Sequence, residues 1–170
     1  PQLDLKLQSD HVRAQDLIFP NQHLNLFNLD GRLLIDAKGI QFRPVRVQLE
    51  QETEAIVTGA VDSFEQPQVT LYIEAEKANI DQVIDLFIGP PKRPESKNKT
   101  AHKPVIIKVK AKKGNIGNLS FSNAEGLIKD HQDVLTIYPL NFSSGSGGCL
   151  ARVEFDRTRQ PGILKVSGHA

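Results

Sequence analysis

Hydrophobic and polar residues alternate along most of the chain with a period of two, which is typical of β-strands that bury one face. The predicted strands that share this alternation cover residues 3–7, 55–61, 67–75, 105–111, 150–155 and 163–167. Each is apolar on one side only. The pattern therefore predicts a mainly β protein, built on an antiparallel sheet with one covered and one wet side.

The stretch from Leu24 to Leu49 recurs roughly 95 positions further along the chain. The matching pairs are Gly31 and Gly126, Ile40 and Leu135, Phe42 and Ile137, Pro44 and Pro139, Val45 and Leu140, and Val47 and Phe142. Each copy has an acidic residue before the glycine, where we predict a turn, a second turn about nine residues later, and then an alternating strand. The sequence thus predicts two meander repeats.

The proline in each copy marks a change in the phase of the alternation. Ile40 and Phe42 have one parity and Val45 and Val47 the other, and the second copy shows the same change at Pro139. Because side chains alternate between faces, one extra residue must be absorbed if both halves of the strand are to face the core. A β-bulge or bend is therefore predicted at each proline, which also lacks the amide donor of a regular ladder.

One short helix is predicted after the strand at 67–75. Asn79 and Gln82 fit a capping box, an apolar stripe follows, and Gly89 with Pro90 ends the helix. Residues 80–87 are too few for a stable isolated helix, so we expect it to dock on the sheet. Residues 89–104 are rich in proline and lysine and are predicted to form a mobile loop. The segment 111–116 also echoes 75–80 at an offset of 36.

A chain of 170 residues, 39% hydrophobic and 24% charged, can bury one core. We interpret residues 1–170 as a single segment of a longer protein, because the alternation is already under way at both ends. Repeat-like halves at 1–88 and 105–170 are joined by the loop at 89–104. The lone Cys149 excludes an internal disulfide.

Lysine is concentrated in residues 90–113, which hold 9 basic and 1 acidic residue. Such a region could meet phosphates of nucleic acid or anionic lipid head groups. It has no aromatic residue on which bases would stack. A solvated linker, followed by a strand whose lysines prevent edge-to-edge pairing, explains the same pattern. We therefore expect no nucleic-acid partner.

The spacing of the polar residues shows no catalytic or metal-binding pattern. The five histidines are scattered without a second ligand at metal-site spacing. Residues 143–148, Ser-Ser-Gly-Ser-Gly-Gly, lack the lysine of a phosphate-binding loop and precede a strand, so they are predicted to form a hairpin turn. We expect no enzyme activity, no metal and no cofactor.

The order of elements resembles the AsmA-like family of bacterial envelope proteins. The resemblance covers the strand with Gly59, Pro67 and the strand ending at Ala75, the short helix, the Pro/Lys-rich break, the strand at 105–111 and the turn at 143–148. It implies a periplasmic location, an inner-membrane anchor outside this segment, and a curved, taco-like sheet or open sandwich whose apolar interior handles lipid. Members of the family act in phospholipid movement between membranes or in outer-membrane biogenesis.

If the resemblance holds, the inward-facing residues form a groove for phospholipid acyl chains. By parity, these residues are Leu33, Ile35, Ile40, Phe42, Val45, Val47, Val69, Leu71, Ile73, Ile107, Val109, Leu135, Ile137, Leu140, Phe142, Val153 and Phe155. The alternative is a structural or adaptor module of envelope assembly in which the same residues form a closed core. The pattern does not separate the two.

Overall fold

The computed structural model describes residues 2–15, 23–49, 53–79, 105–131, 134–145, 147–156 and 163–169. Ten strands form one sheet, and their order in space is their order in sequence. The strands are β1 (Leu3–Gln15), β2 (His23–Ile35), β3 (Gly39–Leu49), β4 (Thr53–Asp62), β5 (Gln68–Asn79), β6 (Val105–Ile116), β7 (Leu119–His131), β8 (Val134–Ser144), β9 (Gly147–Asp156) and β10 (Ile163–His169). The protein is mainly β, as the alternation predicts.

Most of the predicted strands are longer in the structure than the alternation suggests. The first strand extends from the predicted 3–7 to Gln15, and the strand predicted at 67–75 extends to Asn79. The predicted helix at 80–87 and the predicted loop at 89–104 lie outside the described residues. The hairpin predicted at 143–148 is confirmed, because β8 ends at Ser144 and β9 begins at Gly147.

Every neighbouring pair of strands is antiparallel except β5 and β6, which are parallel. The prediction of a wholly antiparallel sheet is wrong at this step. Ala75 pairs with Ala111 and Asn79 with Asn115, so the two segments that echo each other in sequence lie side by side in register. Their similar side-chain pattern suits parallel pairing, since equivalent residues then share a face.

The turns predicted at Gly31 and Gly126 are also wrong, because β2 and β7 continue through these glycines. At Gly31 the reason is a close approach between strands. A Cβ there would lie 2.6 Å from Cα of Val45 in β3. The glycine therefore makes room for neighbouring backbone within the sheet.

The phase changes at Pro44 and Pro139 are confirmed. The pairing of β3 with β4 shifts between Phe42 and Val45, and the pairing of β8 with β9 shifts between Ile137 and Leu140. In each case the extra residue keeps the apolar residues before and after the proline on one face.

Two asparagines produce a second pair of irregularities, which were not predicted from the sequence. Asn28 and Asn123 have positive φ angles of 51° and 53° inside β2 and β7. The pairing with the following strand shifts close to each of them, between Phe27 and Asp30 and between Ser122 and Glu125. Asparagine tolerates this left-handed conformation better than most residues.

Within the described residues the sheet is open. β1 and β10 stand at opposite ends of the strand order, and each pairs with a single neighbour. The main hydrophobic core lies on one face over β5 to β8. It is formed by Leu71, Val105, Ile107, Ile128, Leu135, Ile137 and Leu140.

Candidate functional site

One face of the sheet is apolar across all ten strands, and we call it the apolar face. Residues that pair directly across neighbouring strands share a face. The strand registers therefore connect a single row of residues from one edge of the sheet to the other. The row runs through Leu5, Leu33, Phe42, Gly59, Leu71, Ile107, Ile128, Ile137, Val153 and Val166.

Exposure along this row changes from the edges to the centre. Leu5 on β1 is 36% exposed and Val166 on β10 is 66% exposed, whereas Ile107 on β6 is completely buried. The middle of the apolar face is thus packed like a protein core. Its two ends are open to solvent.

The structure places all of the predicted groove residues on the apolar face. Those that are buried are Val45, Val47, Leu71, Ile107, Leu135, Ile137 and Leu140. Those that are half-buried are Leu33, Ile35, Ile40, Phe42, Val69, Ile73, Val109, Phe142, Val153 and Phe155. Many of the half-buried residues, including Phe42 and Phe155, pack against the central cluster.

Sequence reasoning missed several members of this face. Ile128 and Val105 are buried in the central cluster, and Val57 packs against it. The predicted repeat offered a signal for Ile128, because its offset of 95 positions maps the predicted Leu33 onto it. Val105 is the first residue of the predicted strand at 105–111. It directly follows the proline-rich segment and was not assigned to the predicted groove.

A carboxyl group is buried on the same face. Asp130 is 5% exposed and pairs with Val105 on one side and Leu135 on the other. The repeat offset maps the predicted Ile35 onto this position, so parity alone predicts an apolar residue here. Asp130 has an interaction partner in the structure.

A smaller apolar cluster lies beside the irregularity at Asn123. It joins Ala78, Ala111, Phe121 and Ala124. Phe121 and Ala124 are three positions apart and would point to opposite faces of a regular strand. The left-handed residue between them brings both into one cluster, and Phe121 packs edge-on against Phe142 with ring centroids 6.3 Å apart.

The opposite face carries a depression of about 710 Å³ that crosses β2 to β7 and has many charged lining residues. Its charged lining residues are Arg46, Glu54, Glu74, Glu76, Lys110, Lys112 and Glu125. Val47 is the single predicted groove residue among those that line it. The depression is therefore a different feature from the predicted acyl-chain groove.

Three of the four lysines of β6 contact residues of the neighbouring strands. Lys110 Nζ lies 3.6 Å from a carboxylate oxygen of Glu125, and Lys112 forms an ion pair with Glu76. Lys108 lies over the ring of Tyr72, 5.3 Å from its centroid. Because each of these cations already has a partner, this part of the lysine-rich region is not a free basic patch.

The described residues show neither a metal-binding cluster nor a membrane-spanning helix. They contain no group of three or more His, Cys, Asp or Glu side chains arranged to hold a metal ion. Nor does this part of the chain include a helix long and apolar enough to span a membrane.

No family model matches the chain, and no match was found among curated proteins or among solved structures.

Proposed function

We propose that the chain is a non-enzymatic, lipid-handling segment of a bacterial envelope protein. In this proposal phospholipid acyl chains lie along the open parts of the apolar face, and head groups stay at its wet rim. The segment works in the periplasm, in a parent protein anchored in the inner membrane, and serves phospholipid transport or outer-membrane biogenesis. The location, the anchor and the process follow from the resemblance to the AsmA-like family.

The observation that carries the proposal is the continuity of the apolar row from Leu5 to Val166. Strands in a sheet lie about 4.8 Å apart, so ten strands span about 43 Å along the arc of the sheet. A globular core is covered on all sides, whereas this row stays exposed where it reaches β1 and β10. An exposed aliphatic strip gains about 0.8 kcal/mol for every CH₂ group that it buries.

We also propose that the sheet consists of two related five-strand units, β1 to β5 and β6 to β10. Support comes from the equivalent positions of the two left-handed asparagines and of the two register shifts at the prolines. A repeated unit would give each half the same curvature. It would thereby extend one apolar face without interruption.

The runner-up function is a structural or adaptor module with a closed core. The complete burial of Ile107 and the tight cluster around it favour this alternative for the middle of the sheet. In that case the apolar face only stabilises the fold. The edges and the opposite face would then contact envelope proteins.

The experiment that separates the two is native mass spectrometry, with organic extraction, of the chain expressed in a bacterial periplasm and purified without detergent. Lipid handling predicts co-purified phospholipid, and Leu5→Lys should reduce its amount because the new charge lies at the open end of the apolar row. Ile56→Lys is the matched control, since Ile56 is 40% exposed on the opposite face.

Both variants replace side chains that are already partly exposed, so the sheet signal in circular dichroism should be kept. A lipid-free mass, under conditions in which a known lipid carrier keeps its lipid, would overturn the proposal and favour the closed module. Equal lipid loss in the two variants would show that the apolar face is not the binding surface.

A further inference from the structure

Within the described residues the two edge strands of the sheet, β1 and β10, run in the same direction. Four antiparallel steps lead from β1 to β5, the step from β5 to β6 is parallel, and four antiparallel steps lead on to β10. If β1 of another copy is added beside β10 in the same orientation as in this sheet, the two strands must pair in parallel. The structure already contains one joint of this kind.

The joint between β5 and β6 shows what holds such strands together. On the apolar face Leu71 pairs with Ile107. On the opposite face Glu74 stands against Lys110, and Tyr72 against Lys108. Lys112 forms an ion pair with Glu76 across this joint, and Lys108 lies over the Tyr72 ring. These contacts and the apolar pairs of the other face stabilise the joint, although Lys77 stands against Lys113 near its end.

We propose that the free edge of β10 binds β1 of a second copy of this chain, in parallel and in the register that continues the rows of the sheet. Val166 then stands opposite Leu5 on the apolar face. On the opposite face Lys165 stands opposite Asp4, which places unlike charges at the position that Thr70 and Ile106 occupy in the internal joint. The proposal does not depend on lipid binding.

The side chains at both edges are available for this contact. Leu3 and Val166 are 53% and 66% exposed, and the Asp4 side chain is 50% exposed although it lies 3.8 Å from Arg32. In this register neither edge would bring a like charge against its partner. Exposed strand edges that lack such repulsion are templates for strand addition.

The association should be weak and open-ended. β10 has seven residues, so it offers a shorter contact than the ten residue pairs of the internal joint. An interface of that size belongs to the small, transient class. Because the contact joins two different edges, copies add head to tail, and each added copy leaves one edge of each kind at the ends of the growing chain.

The test is sedimentation velocity of the whole chain, free of lipid and detergent, over rising concentration. The proposal predicts a progressive increase in mean mass. Lys165→Glu and Asp4→Lys should each weaken association roughly tenfold, because each places like charges opposite one another. The double variant carrying both changes should restore it, since the attraction is re-formed with its charges exchanged.

Lys129→Glu and Asp62→Lys are matched controls that make the same charge changes away from the two edges, and they should leave association unchanged. Both substitutions at the joint lie on the face opposite the apolar one, so they leave the proposed lipid surface intact. A chain that stays monomeric throughout would overturn the proposal. So would association that the double variant fails to restore, which would indicate pairing of β10 with β10 or of β1 with β1.

Discussion

Asn123 stands 95 positions after Asn28, and the two residues share a left-handed backbone with φ angles of 53° and 51°. Each lies in the first strand of one of the two predicted repeat copies. A left-handed residue inside a strand shifts the side chains that follow it to the other face. The two asparagines therefore change the phase of the alternation as the two prolines do, but on the neighbouring strands.

The conformation of Asn123 can be tested by substitution. Asn123→Ala should lower the free energy of unfolding by about 1 kcal/mol, because a Cβ without a local polar group disfavours left-handed backbone. Asn123→Gly should be close to neutral, since glycine adopts this conformation freely. Urea unfolding measures both. Asn141→Ala, on an exposed position of β8 without positive φ, is the control and should change stability by less than about 0.5 kcal/mol.

The glycines at matching positions of the two stretches should respond differently to an added methyl group. In Gly31→Ala the new Cβ meets the backbone of Val45 at 2.6 Å, whereas in Gly126→Ala it meets side-chain atoms of Val109 and Leu140 at 3.2 Å and 3.3 Å. Backbone cannot move as side chains can. We expect a loss of about 3 kcal/mol for the first variant and about 1 kcal/mol for the second.

Thermal or urea unfolding measures this difference. Gly148→Ala is the control, because nothing lies within 4 Å of a Cβ built there. Equal losses at Gly31 and Gly126 would contradict the close approach of β2 and β3.

Adjacent residues of β6 test how far the middle of the apolar face is a core. Ile107→Ala should cost about 2–5 kcal/mol, since Ile107 is completely buried and truncation leaves a cavity. Ile106→Ala changes the same side chain one position away, on the opposite face, where Ile106 is 38% exposed. It should cost less than about 1 kcal/mol. Similar losses in the two variants would contradict the assignment of the two faces.

The lysines of β6 should not bind nucleic acid at physiological salt. Lys110 and Lys112 are paired with Glu125 and Glu76, and Lys108 lies over the Tyr72 ring, so few counterions would be released on contact with phosphates. Fluorescence anisotropy with a labelled single-stranded oligonucleotide should give a flat titration. The variant with both Glu76→Gln and Glu125→Gln frees the lysines and should bind measurably at low salt. Strong, steeply salt-dependent binding by the unmodified chain would contradict the expectation.

Parity was the most informative property of the sequence. It predicted the strands, and the structure places every residue that it assigned to the inward side on one face. It also located the bulges at Pro44 and Pro139, because a slip in alternation is visible in sequence when both flanking segments are apolar. Alternation in the sequence predicts which face a side chain occupies when one face of the sheet is packed and the other is exposed to solvent.

Other features depend on contacts that the sequence does not display. Gly31 looked like a turn because glycine is common in turns, but its role follows from the approach of Val45 in another strand. The similarity between 75–80 and 111–116 was visible in the sequence. Only the pairing of β5 with β6 shows that these two segments lie side by side in parallel. The exposure of Leu5 and the burial of Ile107 could not be predicted either, since parity assigns a face without saying what covers it.

The parallel joint between β5 and β6 also determines the symmetry of the sheet. Five antiparallel strands begin and end with the same orientation, so a parallel step lets the next five repeat the orientation of the first. The two five-strand units proposed above would then be related by translation and rotation, not by a two-fold axis. Such a sheet has polarity from strand to strand. Its two edge strands are chemically different, so a molecule that moves across the strands would do so in one of two distinguishable directions.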